Sequence, residues 1–104
     1  MPESRVKDRY GNEVYLTGER WQHIVEFHPP LRNHLKDVLA TVRLGRRRQV
    51  ARQPQKYRYT RRCEELPGAF NGIVVIVLFR FRSSKEGKTV PNNYAVTAWP
   101  TILQ

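Results

Sequence analysis

Three histidines are the side chains of this sequence best suited to proton transfer near neutral pH, and two of them lie in one helical segment. His23 is about 200° around the helix from Trp21, so we expect it at the helix edge or exposed. An imidazole there can act as a general acid or base, although an ordinary surface histidine fits the same pattern. His28 continues the apolar face and precedes Pro29, which favours a structural role at the helix end.

The histidines and the single cysteine also bear on metal binding and disulfide formation. His23 and His28 are separated by about 140° around a helix, so they cannot readily share a metal ion. His34 is most simply a surface residue. The single cysteine, Cys63, excludes an internal disulfide and has no Cys/His neighbours at zinc-ligand spacing. The sequence therefore predicts no metal site and no cofactor.

Positive charge is concentrated in the second part of the chain. The net charge of the 104 residues is +10, and residues 1–42 contribute none of it because their acids and bases cancel. The stretch 43–62 holds nine basic residues, no acid, and the two tyrosines Tyr57 and Tyr59. A basic segment that also bears aromatic residues is typical of proteins that bind a polyanion, most often nucleic acid.

Strand alternation divides this basic segment into two faces. Tyr57, Tyr59 and Arg61 share one face, whereas Arg58 and its alternate neighbours share the other. The tyrosines either point into the core beneath a solvated basic face, or one of them stacks on a base while the cations hold phosphates. We favour phosphate contact for some of these cations. Further candidates are the Thr97 hydroxyl and the arginines that end the next strand. The candidate phosphate-binding residues are Arg46, Arg47, Arg48, Arg52, Lys56, Arg58, Arg61, Arg62, Arg80 and Arg82.

The elements that must position these residues follow from periodicity and capping signals. Gly11-Asn12 predicts the turn of a short N-terminal hairpin. Thr17 caps a first helix that ends at Pro29, and Asn33 caps a second helix that ends at Gly45. Four strands follow, over 47–52, 55–62, 73–82 and 93–99, with 73–79 central and most buried, and 83–92 is a mobile polar loop. We expect an α+β fold in one domain over 1–104, with two helices packed on a four-stranded antiparallel sheet.

The N-terminus and the apolar segments bear on the compartment. The first residues lack the apolar region of a secretory signal, and the longest apolar run, 73–79, is far too short to span a membrane. We therefore expect a cytoplasmic protein with no membrane partner.

Several motifs together resemble a known family. The segment Leu16-Thr-Gly-Glu-Arg-Trp-Gln-His-Ile24 is followed by His28-Pro29, by a strand with tyrosines and arginines, and by Ala95-Val-Thr-Ala98. This order resembles the small phage- and toxin-associated members of the barnase–EndoU–colicin–RelE nuclease superfamily, over roughly residues 13 to 100. The resemblance implies a metal-independent ribonuclease, as the toxin of a toxin–antitoxin pair or a phage-derived effector, with a helix followed by a four-stranded antiparallel sheet.

The resemblance also implies roles for individual residues. His23, or else His28, takes the proton from the ribose 2′-hydroxyl, and Arg58 with Arg80 or Thr97 stabilises the phosphate while a second histidine or a tyrosine protonates the leaving oxygen. Tyr57 and Tyr59 complete the candidate catalytic set. The expected partners are RNA, in solution or on the ribosome, and an acidic antitoxin. Two alternatives stay open: a non-catalytic RNA- or ribosome-binding module that uses the basic sheet face, and an interaction protein that docks an acidic partner there.

Overall fold

The computed structural model of the protein describes residues 3–104, which form two helices, a short 3-10 turn and eight strands. The helices are α1 (Gly18–Phe27) and α2 (Leu35–Leu44), and the 3-10 turn between them is Pro29–Leu31. The strands are β1 (Ser4–Lys7), β2 (Glu13–Leu16), β3 (Arg46–Val50), β4 (Gln53–Arg62), β5 (Gly72–Leu78), β6 (Phe81–Ser83), β7 (Thr89–Pro91) and β8 (Asn93–Thr101).

Local sequence signals set the ends of both helices. The Thr17 hydroxyl accepts the backbone N–H of Arg20 at 3.1 Å, as predicted for the cap of α1. The cap of α2 is His34 and not the predicted Asn33, which takes a positive φ of 71° and turns the chain into the helix. α2 ends at Gly45 as predicted. Neither helix, nor any other among residues 3–104, is long and apolar enough to cross a membrane.

The prediction of a four-stranded antiparallel sheet is wrong. The main sheet has six strands in the order β1-β2-β8-β5-β4-β3 and is mixed. The four predicted strands do lie side by side and antiparallel, but the N-terminal hairpin extends them because β2 pairs in parallel with β8, joining Val14 to Asn93 and Tyr15 to Tyr94. This pairing links the two ends of the chain, so no local periodicity indicates it.

The segment predicted as a mobile loop also contains regular structure. The strand expected over 73–82 ends at Leu78, and β6 then pairs with β7 as a separate two-stranded ribbon. Gly87 lies in the turn of this ribbon with φ +79°, a conformation that glycine adopts without steric cost. The cations predicted at the end of one long strand therefore lie on two elements: Arg80 follows β5, and Arg82 belongs to β6.

Both helices pack against one face of the main sheet, which we call the covered face. β5 is the central buried strand as predicted, with Ile73, Val75 and Val77 fully enclosed. Side chains alternate along a strand, so every second residue of β1 to β5 and β8 points to the opposite face. Among residues 3–104 no helix lies on that face, which we call the open face. The core on the covered face consists of Val14, Leu16, Trp21, Ile24, Leu31, Val38, Val42, Tyr59, Cys63, Leu66, Ile73, Val75, Val77, Ala95 and Ala98.

The end of α2 approaches β4 so closely that only glycine fits at residue 45. A Cβ atom on Gly45 would lie 2.3 Å from the carbonyl oxygen of Thr41 and 2.8 Å from that of Thr60. The Thr41 oxygen belongs to the last turn of α2 itself and the Thr60 oxygen belongs to β4, so relief requires the helix end to distort as well as the strand to move away. Gly45 thereby fixes the distance between α2 and the sheet.

We expect Gly45→Ala to lower the free energy of unfolding by about 2 kcal/mol or more, because it forces packed backbone apart. Gly87→Ala is the control: it also adds one methyl group, at a site with φ +79° and no atom within 4 Å, and should cost only about 1 kcal/mol. Urea unfolding of both variants measures the difference. Equal losses would contradict the close approach at Gly45.

Candidate nucleic-acid interface

Arginines face each other across β3 and β4 on the open face. Arg48 pairs with Arg58, and Arg46 pairs with Thr60, two register positions further along and therefore on the same face. These residues line a shallow groove of about 350 Å³. Like charges directly opposite each other destabilise a sheet, so an anion placed between Arg48 and Arg58 would remove that repulsion. The groove is therefore suited chemically to a phosphate.

Aromatic side chains lie beside these cations on the same face. Arg58 pairs with Ile76, which pairs with Thr97, so the arginine and the hydroxyl flank one apolar residue. The guanidinium of Arg58 lies 5.7 Å from the ring centre of Trp99. Such an arrangement supplies a charge for a phosphate and a ring for a base within one site.

A second row of residues crosses five strands of the open face. Lys56 on β4 is followed in register by Leu78, Tyr94, Tyr15 and Arg5 on β5, β8, β2 and β1. The rings of Tyr15 and Tyr94 lie 5.8 Å apart, and the guanidinium of Arg5 lies 5.2 Å from the Tyr15 ring. The row thus has a cation at each end and two aromatic rings between them.

Acidic residues are nearly absent from this face. Within the six strands of the main sheet, the only acid is Glu13 on β2, where the register places it on the open side with Lys7. Its carboxylate pairs with Arg5 at 2.7 Å. The β3–β4 part of the open face therefore keeps its positive charge uncompensated by facing acids.

The two candidate acid–base histidines lie on the other side of the sheet. His23 is exposed on α1 with its ring 4.6 Å from that of Phe27, and half-buried His28 forms the C-cap of α1. Because α1 packs on the covered face, the sheet separates both histidines from Arg58 and Thr97. The structure does not bring the predicted catalytic set together.

Three other candidate functional residues belong to a buried network on the covered face. The Tyr59 hydroxyl donates to the Asp8 carboxylate at 2.5 Å, and both residues are buried. Arg47 lies 3.9 Å from the same carboxylate, with its guanidinium 4.4 Å from the rings of both Tyr10 and Tyr57. Arg47, Tyr57 and Tyr59 therefore hold the β1–β2 turn over the core, and their positions favour the core interpretation of the tyrosines.

The electrostatics of this network keep Asp8 ionised and Tyr59 protonated. Burial alone would raise the pKa of Asp8, but hydrogen bonds from the Tyr59 hydroxyl, from Asn12 and from the Tyr10 backbone outweigh it and lower the pKa. Burial, reinforced by the bond to Asp8, raises the pKa of Tyr59 above its ordinary value. A fully buried phenol with a raised pKa is a poor proton donor, so Tyr59 does not suit the general-acid role that the resemblance implies. Sequence analysis missed Asp8, whose one signal is its place beside the Gly11-Asn12 turn.

The remaining candidate cations are divided between the two faces and the loops. Arg61 lies on the covered face, 3.4 Å from the Asp37 carboxylate, and Arg62 pairs with Glu64 at 3.1 Å. Arg52 forms the β3–β4 turn with a positive φ of 64°. Arg61 and Arg62 therefore have acidic partners within the protein, and Arg52 has a structural role in a turn. The cations left for a ligand on the β3–β4 part of the open face are Arg46, Arg48, Lys56 and Arg58.

One group of residues has the donor types of a metal site. Ligand atoms of His34, Asp37 and Cys63 lie within 4.8 Å of one another, because the fold brings Cys63 to the first turn of α2, where His34 and Asp37 are three residues apart. The fixed positive charge of Arg61 beside the same carboxylate opposes a bound cation, and His34 Nδ1 already lies 2.9 Å from Asp37. Burial also raises the pKa of the Cys63 thiol. We interpret the group as a polar network that joins the start of α2 to the end of β4.

Compared with protein-family models, with curated proteins and with solved structures, the chain matches none. The resemblance to the nuclease superfamily therefore stays a prediction from sequence motifs. The interface described above depends on the geometry of this chain alone.

We expect Tyr59→Phe to lower the free energy of unfolding at pH 7 by about 1–3 kcal/mol, because it removes a donor to a buried carboxylate. Because the pKa of Asp8 is lowered in the folded protein, the ionised carboxylate stabilises the fold above the ordinary pKa of 3.8. This stabilisation is lost as the pH falls through the folded-state pKa. The difference in the free energy of unfolding between wild type and Tyr59→Phe should therefore become smaller below about pH 4.

Tyr57→Phe is the matched control, because it removes a hydroxyl from the same face of the same strand, two residues away. We expect it to change stability by less than about 0.5 kcal/mol. Chemical denaturation of the three proteins between acid and neutral pH measures both effects. If the difference in the free energy of unfolding between wild type and Tyr59→Phe stays constant with pH, the role given to Asp8 is contradicted.

Proposed function

We propose that this protein binds single-stranded RNA on the open face of its six-stranded sheet. One observation supports this most directly: the cations of β3 and β4 and the aromatic rings of β8 and β2 share the face that no helix covers in the described part of the chain. Proteins that bind single strands combine a positive surface for the backbone with aromatic rings for the bases. The net charge of +10 supports attraction to a polyanion over longer range.

The shape of the face favours a single strand over a duplex. Duplex readers insert a helix or ribbon into a groove to reach base edges, whereas the open face presents rings and charges across the strands of a sheet. Base faces are accessible to such rings only when the bases are unpaired. RNA rather than DNA follows from the superfamily resemblance, and DNA of the same sequence is the control that tests it.

Each part of the face has a role under this proposal. Arg48 and Arg58 hold a phosphate between them, and Lys56 contacts the next one. Trp99 and Tyr94 stack on bases, which is sequence-tolerant because every base has a flat aromatic surface. The binding free energy then comes from backbone charge and stacking together, and affinity falls with salt.

RNA cleavage is a second candidate, supported by the placement of Arg58 and Thr97 on one face across Ile76. An arginine and a hydroxyl there can stabilise the charge on a phosphate during transesterification at the 2′-hydroxyl. Proton transfer in this site falls to Tyr94 or Tyr15, because His23 and His28 lie behind the sheet. Cleavage of RNA in EDTA that persists in His23→Ala and His28→Ala and is lost in Arg58→Ala would support this candidate.

We expect Arg58→Ala to reduce the slope of log affinity against log salt by about 1, because one phosphate contact is removed. Trp99→Ala should cost about 1–3 kcal/mol of binding free energy, with little change in that slope. Fluorescence anisotropy with a labelled single-stranded oligouridylate at several salt concentrations measures both quantities.

Arg32→Ala is the matched control, since it removes one exposed arginine from the turn between the helices, away from the open face. It should bind like wild type, as should His23→Ala and His28→Ala. Equal losses in Arg32→Ala and Arg58→Ala would show that net charge alone drives binding. Absence of binding by the wild type would contradict the proposed function.

A further inference from the structure

A groove lies where the row from Lys56 to Arg5 reaches the edge of the open face. One wall is the β1–β2 hairpin and the other is the β6–β7 ribbon, and the volume enclosed is about 470 Å³. We call this space the edge groove. Its lining includes Arg5, Lys7, Tyr15, Arg82 and Asn92, together with one acid, Glu13. The proposed function already uses the Tyr15 ring as part of the open face, but it assigns no role to Lys7, to Arg82 or to the ribbon that forms the second wall.

The two walls of the edge groove are tied together at its floor. The Tyr15 hydroxyl donates to the side-chain oxygen of Asn92 at 3.1 Å, so the hairpin holds the segment that leads out of the ribbon. Asn93, the next residue, donates through its side-chain nitrogen to the Glu13 carbonyl at 3.0 Å. The ring of Tyr15 is half-buried, and its hydroxyl is held by Asn92.

The charges of the edge groove are not all neutralised. Arg5 is paired with Glu3 at 2.6 Å and with Glu13 at 2.7 Å. In contrast, no carboxylate of residues 3–104 lies within ion-pair distance of Lys7 or Arg82. The groove therefore offers one aromatic ring and two cations from opposite walls, which are the groups that bind a base and a phosphate.

The groove is also continuous with the surface that we propose binds RNA. The Tyr15 ring lies 5.8 Å from the Tyr94 ring, so a strand whose bases stack on Trp99 and Tyr94 is led to Tyr15 next. Five inter-strand spacings separate β3 from β1, a path of about 24 Å. A single-stranded oligonucleotide of modest length can follow that path.

We propose that the edge groove is a nucleotide subsite: it takes one nucleotide of the bound single strand, with the base against Tyr15 and the phosphate between Lys7 and Arg82. This inference depends on the proposed function, because the edge groove is the point where the bound RNA strand would leave the sheet. The ribbon formed by β6 and β7 is then the wall that confines the strand, and the sheet alone is not the whole binding surface.

The test uses the full chain and a labelled oligouridylate of about 10 nucleotides, long enough to reach both ends of the path. Tyr15→Ala should weaken binding by about 5-fold or more, through the loss of one stacking contact. Arg82→Ala should weaken binding and lower the salt slope by about 1. Lys88→Ala is the matched control, because it removes one charge from the same ribbon segment outside the groove lining, and it should bind like wild type.

Tyr15→Phe separates stacking from the tie to Asn92, because it keeps the ring and loses the hydroxyl. We expect the affinity of Tyr15→Phe for the oligonucleotide to stay within about 3-fold of wild type. Thermal unfolding of each variant shows whether it is still folded. Wild-type affinity in both Tyr15→Ala and Arg82→Ala, together with weak binding by Arg58→Ala, would overturn the subsite and leave the proposed function standing. No binding by the wild type would instead refute the proposed function itself.

Discussion

The alternation of side chains across a sheet that has helices on only one face decides what each residue of β3 and β4 can do. Arg58 and Tyr59 are neighbours in sequence, yet Tyr59 is completely enclosed in the core while Arg58 is exposed beside Trp99. The same holds for Arg47, which is held by Asp8, and Arg48, which faces Arg58. A shift of one residue in register would exchange these roles, so the buried apolar residues of β5 that fix the register also fix the interface.

Asp8 connects the N-terminal hairpin to the strands that carry the interface. The turn between β1 and β2 reaches over the covered face, where its carboxylate accepts the Tyr59 hydroxyl and contacts Arg47. The hairpin is thus attached to the far strands of the sheet, as well as to β8 by parallel pairing. A buried carboxylate costs free energy unless it is fully hydrogen-bonded, and its bonds from Tyr59, Asn12 and the Tyr10 backbone meet that requirement. The interface on the open face is supported from behind by this network.

Local signals in the sequence were sufficient to locate both helices and the four antiparallel strands, although the predicted cap of α2 and the predicted end of the central strand were wrong. Thr17 and Gly45 mark helix ends because capping depends on a few adjacent residues, and the apolar run of β5 indicates a buried strand. The parallel pairing of β2 with β8 and the contact of Asp8 with Tyr59 depend on residues far apart in the chain, which periodicity cannot detect. The candidate site was only partly predictable for the same reason. Strand alternation correctly placed Arg58 and Tyr59 on opposite faces of the sheet. It could not show on which face the helices pack, and that placement is what separates His23 and His28 from Arg58 and Thr97.

Under the proposed function, RNA contacts the open face of the sheet and not the helix side. Backbone amide chemical shifts recorded by NMR during titration with a single-stranded oligouridylate distinguish these two surfaces. We predict saturable shifts at Arg48, Arg58, Thr97 and Trp99, with the amides of α1 unchanged. Shifts confined to α1 and its histidines, His23 and His28, would instead place the RNA on the helix side and refute binding on the open face.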